Sequence, residues 1–149
     1  MSKQDEASLI LKLYELRREE QMRKAREWYF REFSPQSLDE FNAAMFSDKG
    51  AHVRQVVSYW DMAAALVNSG AISLELFNRT NQEHVGVFAA IEPLLEQIRA
   101  AYTPSYAENL EKLIDDTPDG RVNVAHMRDR MKQVRASIQA KQQQSSAAV

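Results

Sequence analysis

The sequence predicts an all-α fold: a helical bundle with a long N-terminal helix and a C-terminal basic amphipathic helix. Glycine and proline are few, four of each in 149 residues, and no segment alternates apolar and polar residues as a half-buried strand does. Near the end, Val124, Met127, Met131, Val134 and Ile138 recur at steps of three, four, three and four. That spacing keeps apolar side chains on one line of a helix that lies along another helix.

The first helix is expected over residues 5–33, but its apolar residues change sides. At about 100° per residue, Leu9, Leu13 and Leu16 centre on one face, and Met22, Ala25, Tyr29 and Phe33 on nearly the opposite one. Residues 17–21 between them are wholly polar. A continuous helix of this kind touches two bodies. Its second half is expected on its own core, and its first half against the C-terminal helix or a neighbouring subunit. Ser34-Pro35 ends it, because the residue before a proline is pushed out of the helical region. Ser37 and Glu40 read as a capping box for a short helix over 38–46 that offers Phe41, Met45 and Phe46 to the core.

After a turn at 47–50, residues 51–68 form the central helix. Val53, Val56, Val57, Trp60, Ala63, Ala64 and Val67 give it a broad apolar face. Gly70 suits a left-handed cap, and Ser73 opens a short helix over 74–79. The next element spans 81–102 with the stripe Val85, Phe88, Ile91, Leu95, Ile98 and Tyr102, and Pro93 predicts a kink around 89–93. Ser105 and Glu108 read as a second capping box, for a helix to about residue 115 anchored by Tyr106, Leu110, Leu113 and Ile114. Thr117-Pro118-Asp119-Gly120 is a turn and the best boundary in the chain. The expected organisation is a helical-bundle domain over 1–120, a basic tail helix over 121–141 and a disordered tail over 142–149.

The net charge of −2 hides a division: residues 1–35 carry +1, residues 36–120 carry −8 and residues 121–149 carry +5. An acidic body beside a basic tail implies that the two meet, within or between subunits. The sharper expectation is an acidic protein or nucleic acid bound through Arg121, Arg128, Arg130, Lys132 and Arg135. With no cysteine, disulfides, thiol catalysis and thiolate metal sites are excluded. The apolar patch near the start is broken by Lys12 and Glu15, unlike a signal peptide. The longest uncharged run, 62–74, falls short of the ~20 residues of a membrane helix. A cytoplasmic, membrane-free protein is expected.

No stretch carries a phosphate loop, nucleophile elbow or zinc signature, so no catalytic residue, cofactor or metal is assigned. His52, His84 and His126 lie on different elements without metal-ligand spacing and are read as solvent-facing. Asp61, on the central helix, is paired with Arg99 as an ion pair fixing two helices. The competing reading makes Asp61, His84 and Glu92 the lining of a small enzyme pocket. Trp28, Tyr29 and Phe30 stand among Arg23, Lys24, Arg26 and Arg31, a mixture that can bind single-stranded nucleic acid. Interspersed glutamates at (i, i+4) favour a solvated face with the aromatics as core anchors.

From Tyr59-Trp60-Asp61 through Leu66-Val67-Asn68-Ser69-Gly70-Ala71-Ile72, Leu76-Phe77, Glu92-Pro93-Leu94-Leu95 and Arg99 to Leu113, the chain resembles an uncharacterised, all-helical bacterial family known only as a domain of unknown function. The resemblance covers about residues 56–113. It departs at Val87-Phe88, where that family often has Tyr-Trp. It implies a helical fold with an acid at position 61, and no activity. The function expected from the residues is that of a non-enzymatic interaction or scaffold protein. It self-associates, as a homodimer, through Leu9, Leu13 and Leu16 and the stripe from Val124 to Ile138.

Overall fold

A computed structural model describes residues 2–148, whose regular elements are all helical. They are α1 (Lys3–Arg17), α2 (Glu20–Glu32), α3 (Leu38–Phe46), α4 (Gly50–Asn68), α5 (Leu74–Thr80), α6 (Glu83–Ile91), a 3-10 turn (Glu92–Leu94), α7 (Leu95–Ala101), α8 (Glu108–Asp116) and α9 (Gly120–Ala147). The core sits around α4. Its predicted face of Val53, Val56, Val57, Trp60, Ala63, Ala64 and Val67 is buried throughout, chiefly against α8 and α2.

The long first helix is in fact two. The polar stretch at 17–21 breaks it, with Arg18 as the C-cap of α1 and the Glu19 side chain accepting from the Met22 amide at 3.2 Å to start α2. The break turns the two apolar stripes toward the same core, so Leu13, Met22, Ala25, Tyr29 and Phe33 are all buried together. A stripe that changes sides signals a broken helix as readily as two partners. Arg26 fastens the corner. One of its Nη groups donates to the Arg17 carbonyl at 3.0 Å, and its Nε and other Nη meet the Glu83 carboxylate, each at 2.7 Å.

Ser37 caps α3 as predicted, accepting from the Glu40 amide. The Glu40 carboxylate, however, takes the Gln36 amide rather than that of Ser37, and Phe46 is 83% exposed instead of buried. Gly70 adopts the left-handed conformation with φ +88°. The kink falls where Pro93 predicts it, with α6 giving way to the 3-10 turn before α7. The second capping box does not form. Residue 107 is left-handed, and no side chain at the N-cap serves α8. Instead Asp61 reaches over from α4, accepting from the Leu110 amide at 2.9 Å and the Asn109 side chain at 3.2 Å.

The 117–120 turn is tight, with Asp119 left-handed at φ 56°. A Cβ at Gly120 would lie 1.9 Å from the Ile114 carbonyl oxygen, so only glycine lets α9 start against the end of α8. Beyond residue 141 the helix continues to Ala147, through the stretch expected to be disordered; Val149 lies outside the described residues. Gly120→Ala is expected to cost about 2 kcal/mol or more, read as a lower urea midpoint by circular dichroism.

Candidate functional site

The segment singled out by the sequence, α9, folds back on its own domain over its first half. It crosses α6 at Gly86, where a Cβ would meet Phe30 of α2 at 3.0 Å and Met131 and Met127 of α9 at 3.6 and 3.7 Å. Val124 is fully buried there, and Met127 and Met131 pack on the core.

Of the four α9 arginines, three are drawn against the body of the domain. An uninterrupted helix would offer the residue 93 amide to the Ala89 carbonyl, but proline has no N–H. Arg128 supplies the missing donor, its Nε lying 3.0 Å from that oxygen, while an Nη pairs with Glu92. Seven residues on, an Arg135 Nη donates at 3.0 Å to the carbonyl of Phe33, where Ser34-Pro35 stops α2. Arg121 completes the grip through Asp115, Glu92 and Glu111 at 2.6, 2.8 and 2.9 Å. Its hydrogen bonds hold the Asp115 carboxyl below its ordinary value. The acidic body and basic tail therefore meet within one chain. Arg130 and Lys132 remain exposed and form no ion pair among the described residues.

This divides the expected contact set. Val124, Met127 and Met131 are engaged in the chain's own core, whereas Val134 is 53% exposed and Ile138 only half-buried. In α1, Leu13 is buried and Leu9 packs on the core, with the Tyr59 hydroxyl donating to the Leu13 carbonyl. Glu6 accepts from the Ser73 amide at 2.7 Å. The inner face of α1 thus meets α4 and the start of α5, and Leu13 cannot serve a subunit contact. Leu16 is exposed, and it is joined by Leu11 and Tyr14, which the sequence reading omitted.

The Asp61–Arg99 ion pair is not formed. Asp61 caps α8, while Arg99 pairs with Glu111 at 2.9 Å and donates to the Tyr106 carbonyl. Nor do Asp61, His84 and Glu92 share a pocket: Asp61 is spent on α8 and Glu92 on Arg121 and Arg128. His84, expected in solvent, is 1% exposed between Trp60 and Phe77, with ring centroids at 5.8 and 4.9 Å. Neither of its nitrogens has a partner, and burial pushes its pKa down to about 4, so it is neutral at pH 7. The signal was present: His84 stands four residues before Phe88 and seven before Ile91, on the buried stripe of α6. Tyr29 is a core anchor as expected, its hydroxyl donating to the Val87 carbonyl at 2.8 Å. Among the described residues, no cluster of histidine and carboxylate has metal-binding geometry, and no helix is long and apolar enough to cross a membrane.

Against known families, the Domain of unknown function (DUF4760) matches residues 5–117. The chain belongs to that family. Among curated proteins and solved structures, none matches it. The DUF4760 match extends beyond the 56–113 resemblance to take in α1, α2 and α3, and it ends at the turn before α9. The helix that closes over Gly86 and satisfies the Ala89 carbonyl thus lies outside the matched region.

Replacing Arg128 with Met leaves Ala89 without its donor and Glu92 with one arginine partner, Arg121, in place of two. It is expected to cost about 2–3 kcal/mol in urea unfolding, whereas Arg130→Met stays within about 0.5 kcal/mol. His84 makes stability pH-dependent. Unfolded histidine titrates near 6.5 and the folded residue near about 4. Between those values the unfolded chain binds a proton that the fold excludes. Its contribution is therefore intact above pH 6.5 and falls as the pH drops toward 4, by about 3 kcal/mol. His84→Leu should flatten that part of the stability profile, measured by denaturant titration at each pH.

Proposed function

We propose that the protein is a non-enzymatic helical interaction protein that forms a homodimer through its terminal helices. The supporting observation is the division of the α9 stripe. Beyond Arg135, α9 continues about 18 Å, at 1.5 Å per residue over 136–147, and only Ile138 there is even half-buried. Val134 and Ile138 continue the line of Met131 toward the edge of the domain, where Val134 is left more than half exposed. Two such projecting halves, related by a two-fold axis, bury each other's stripe. Leu11 and Tyr14, about 60° apart on the outside of α1, add a second pair of exposed apolar side chains available to the same assembly.

Nucleic-acid or acidic-protein binding through the tail is less well supported. Arg121 and Arg128 are neutralised internally and Arg135 donates to a carbonyl, which leaves Arg130 and Lys132 as the freely exposed cations of the five. A pocket enzyme centred on Asp61 has no converging group to work with.

Light scattering at micromolar protein is expected to give the mass of a dimer for the native chain and of a monomer for Val134→Asp or Ile138→Asp, with unchanged helicity. A native chain that is monomeric over that range overturns the proposal.

A further inference from the structure

We infer that the hollow between the two proline breaks is a phosphate-binding site. A cavity of about 220 Å³ lies where α9 passes over the 34–36 segment and the C-terminal end of α6, with Pro35 and Pro93 in its wall. On α9 it is lined by Arg128, Met131, Lys132 and Arg135.

The charges do not balance. Glu92 neutralises Arg128, and its other oxygen is taken by Arg121. Among the described residues, Lys132 and Arg135 form no ion pair. Glu40, the carboxylate held at the Gln36 amide, pairs with neither. Arg26, Arg99 and Arg121, which are also drawn against the body, each face a carboxylate. Arg135 does not. One of its Nη groups is used on Phe33, and its Nε is buried with no acceptor. Burial without a counter-charge pulls its pKa below the ordinary guanidinium value.

Two uncompensated cations in one small cavity match a dianion. A phosphate monoester carries about −1.5 to −2 at neutral pH, and a guanidinium edge beside a lysine is a common way to hold one. Ser34 lines the same cavity; its hydroxyl oxygen accepts from the Gln36 side chain at 3.3 Å, which leaves the hydroxyl hydrogen free to donate. The volume lies below the ~300 Å³ at which sites begin to enclose a whole drug-sized molecule. The cavity therefore takes a phosphate group, either the free ion or the head of a larger molecule whose remainder stays outside. A ligand there ties α9 to the loop after α2. This inference does not depend on self-association, because the cavity is built within a single chain.

The test is a titration of the ¹⁵N-labelled full chain with inorganic phosphate, followed at the Arg135 Nε–H and the Ser34 and Gln36 amides. Sodium chloride and sodium acetate at matched ionic strength are the controls. Saturable shifts with phosphate alone are expected. Lys132→Gln and Arg135→Gln should each weaken binding about ten-fold or more. Arg130→Gln, which removes the same charge from the side of α9 facing Asn78 and Asn81, should leave it unchanged. Because Lys132 is exposed, its variant remains informative if Arg135→Gln does not fold. O-phosphoserine binding more tightly than the free ion indicates a larger ligand, and equal affinity indicates that the phosphate alone is read. A linear drift, an equal response to chloride, equal saturation by acetate, or equal weakening by Arg130→Gln overturns the inference.

Discussion

A proline inside a helical run leaves one carbonyl that no backbone amide can reach, and the placing of α9 follows from that constraint. At Pro93 the stranded oxygen belongs to Ala89, and Arg128 covers it from outside. The same guanidinium pairs with Glu92, whose second oxygen binds Arg121 one α9 segment earlier. Position along α6 and rotation about the axis of α9 are thereby fixed together. The spacing carries through to Arg135, two helical turns further, which meets the second proline-terminated helix at Phe33. Buried between these polar anchors, Val124, Met127 and Met131 supply the apolar contact. The polar groups select the register and the packing makes it adhere.

A related device recurs elsewhere: a backbone group at a helix end is met by a side chain from another helix. Asp61 of α4 serves the start of α8, Arg26 of α2 serves the end of α1, and Glu6 of α1 serves Ser73 before α5. Each such bond joins two elements while meeting a need that would otherwise fall to water. Asp61 and Glu92, the carboxylates that looked most available for proton transfer, are both committed to holding helices.

How far the sequence could be read depended on whether a feature was local. The all-helical class, the apolar face of α4, the Gly70 cap, the Ser37 cap, the Pro93 kink and the 117–120 turn are written within a few residues, and each appears as expected. The errors concern partners distant in the chain. The two stripes of the N-terminal segment imply either two bodies or one bend, and only the tertiary arrangement decides between them. Asp61 and Arg99 were matched by sign and helix register, yet each found a closer demand in or before α8. His84 was misplaced for another reason: a polar residue on a buried stripe was assigned by type rather than by phase. Of the contact residues on the line from Val124 to Ile138, the first three lie against the chain's own core and Val134 is exposed. The division of that line between an inner and an outer half depends on where the domain ends, which no periodicity reveals.

The DUF4760 match ends between the two partners that meet at the proline break. Without the following helix, the Ala89 oxygen and the face of α6 around Gly86 would lie open to solvent. Proline at 93 and arginine at 128 thus form a lock whose halves lie on either side of the family border. In this chain the helix beyond that border is therefore part of the same folding unit as the domain inside it.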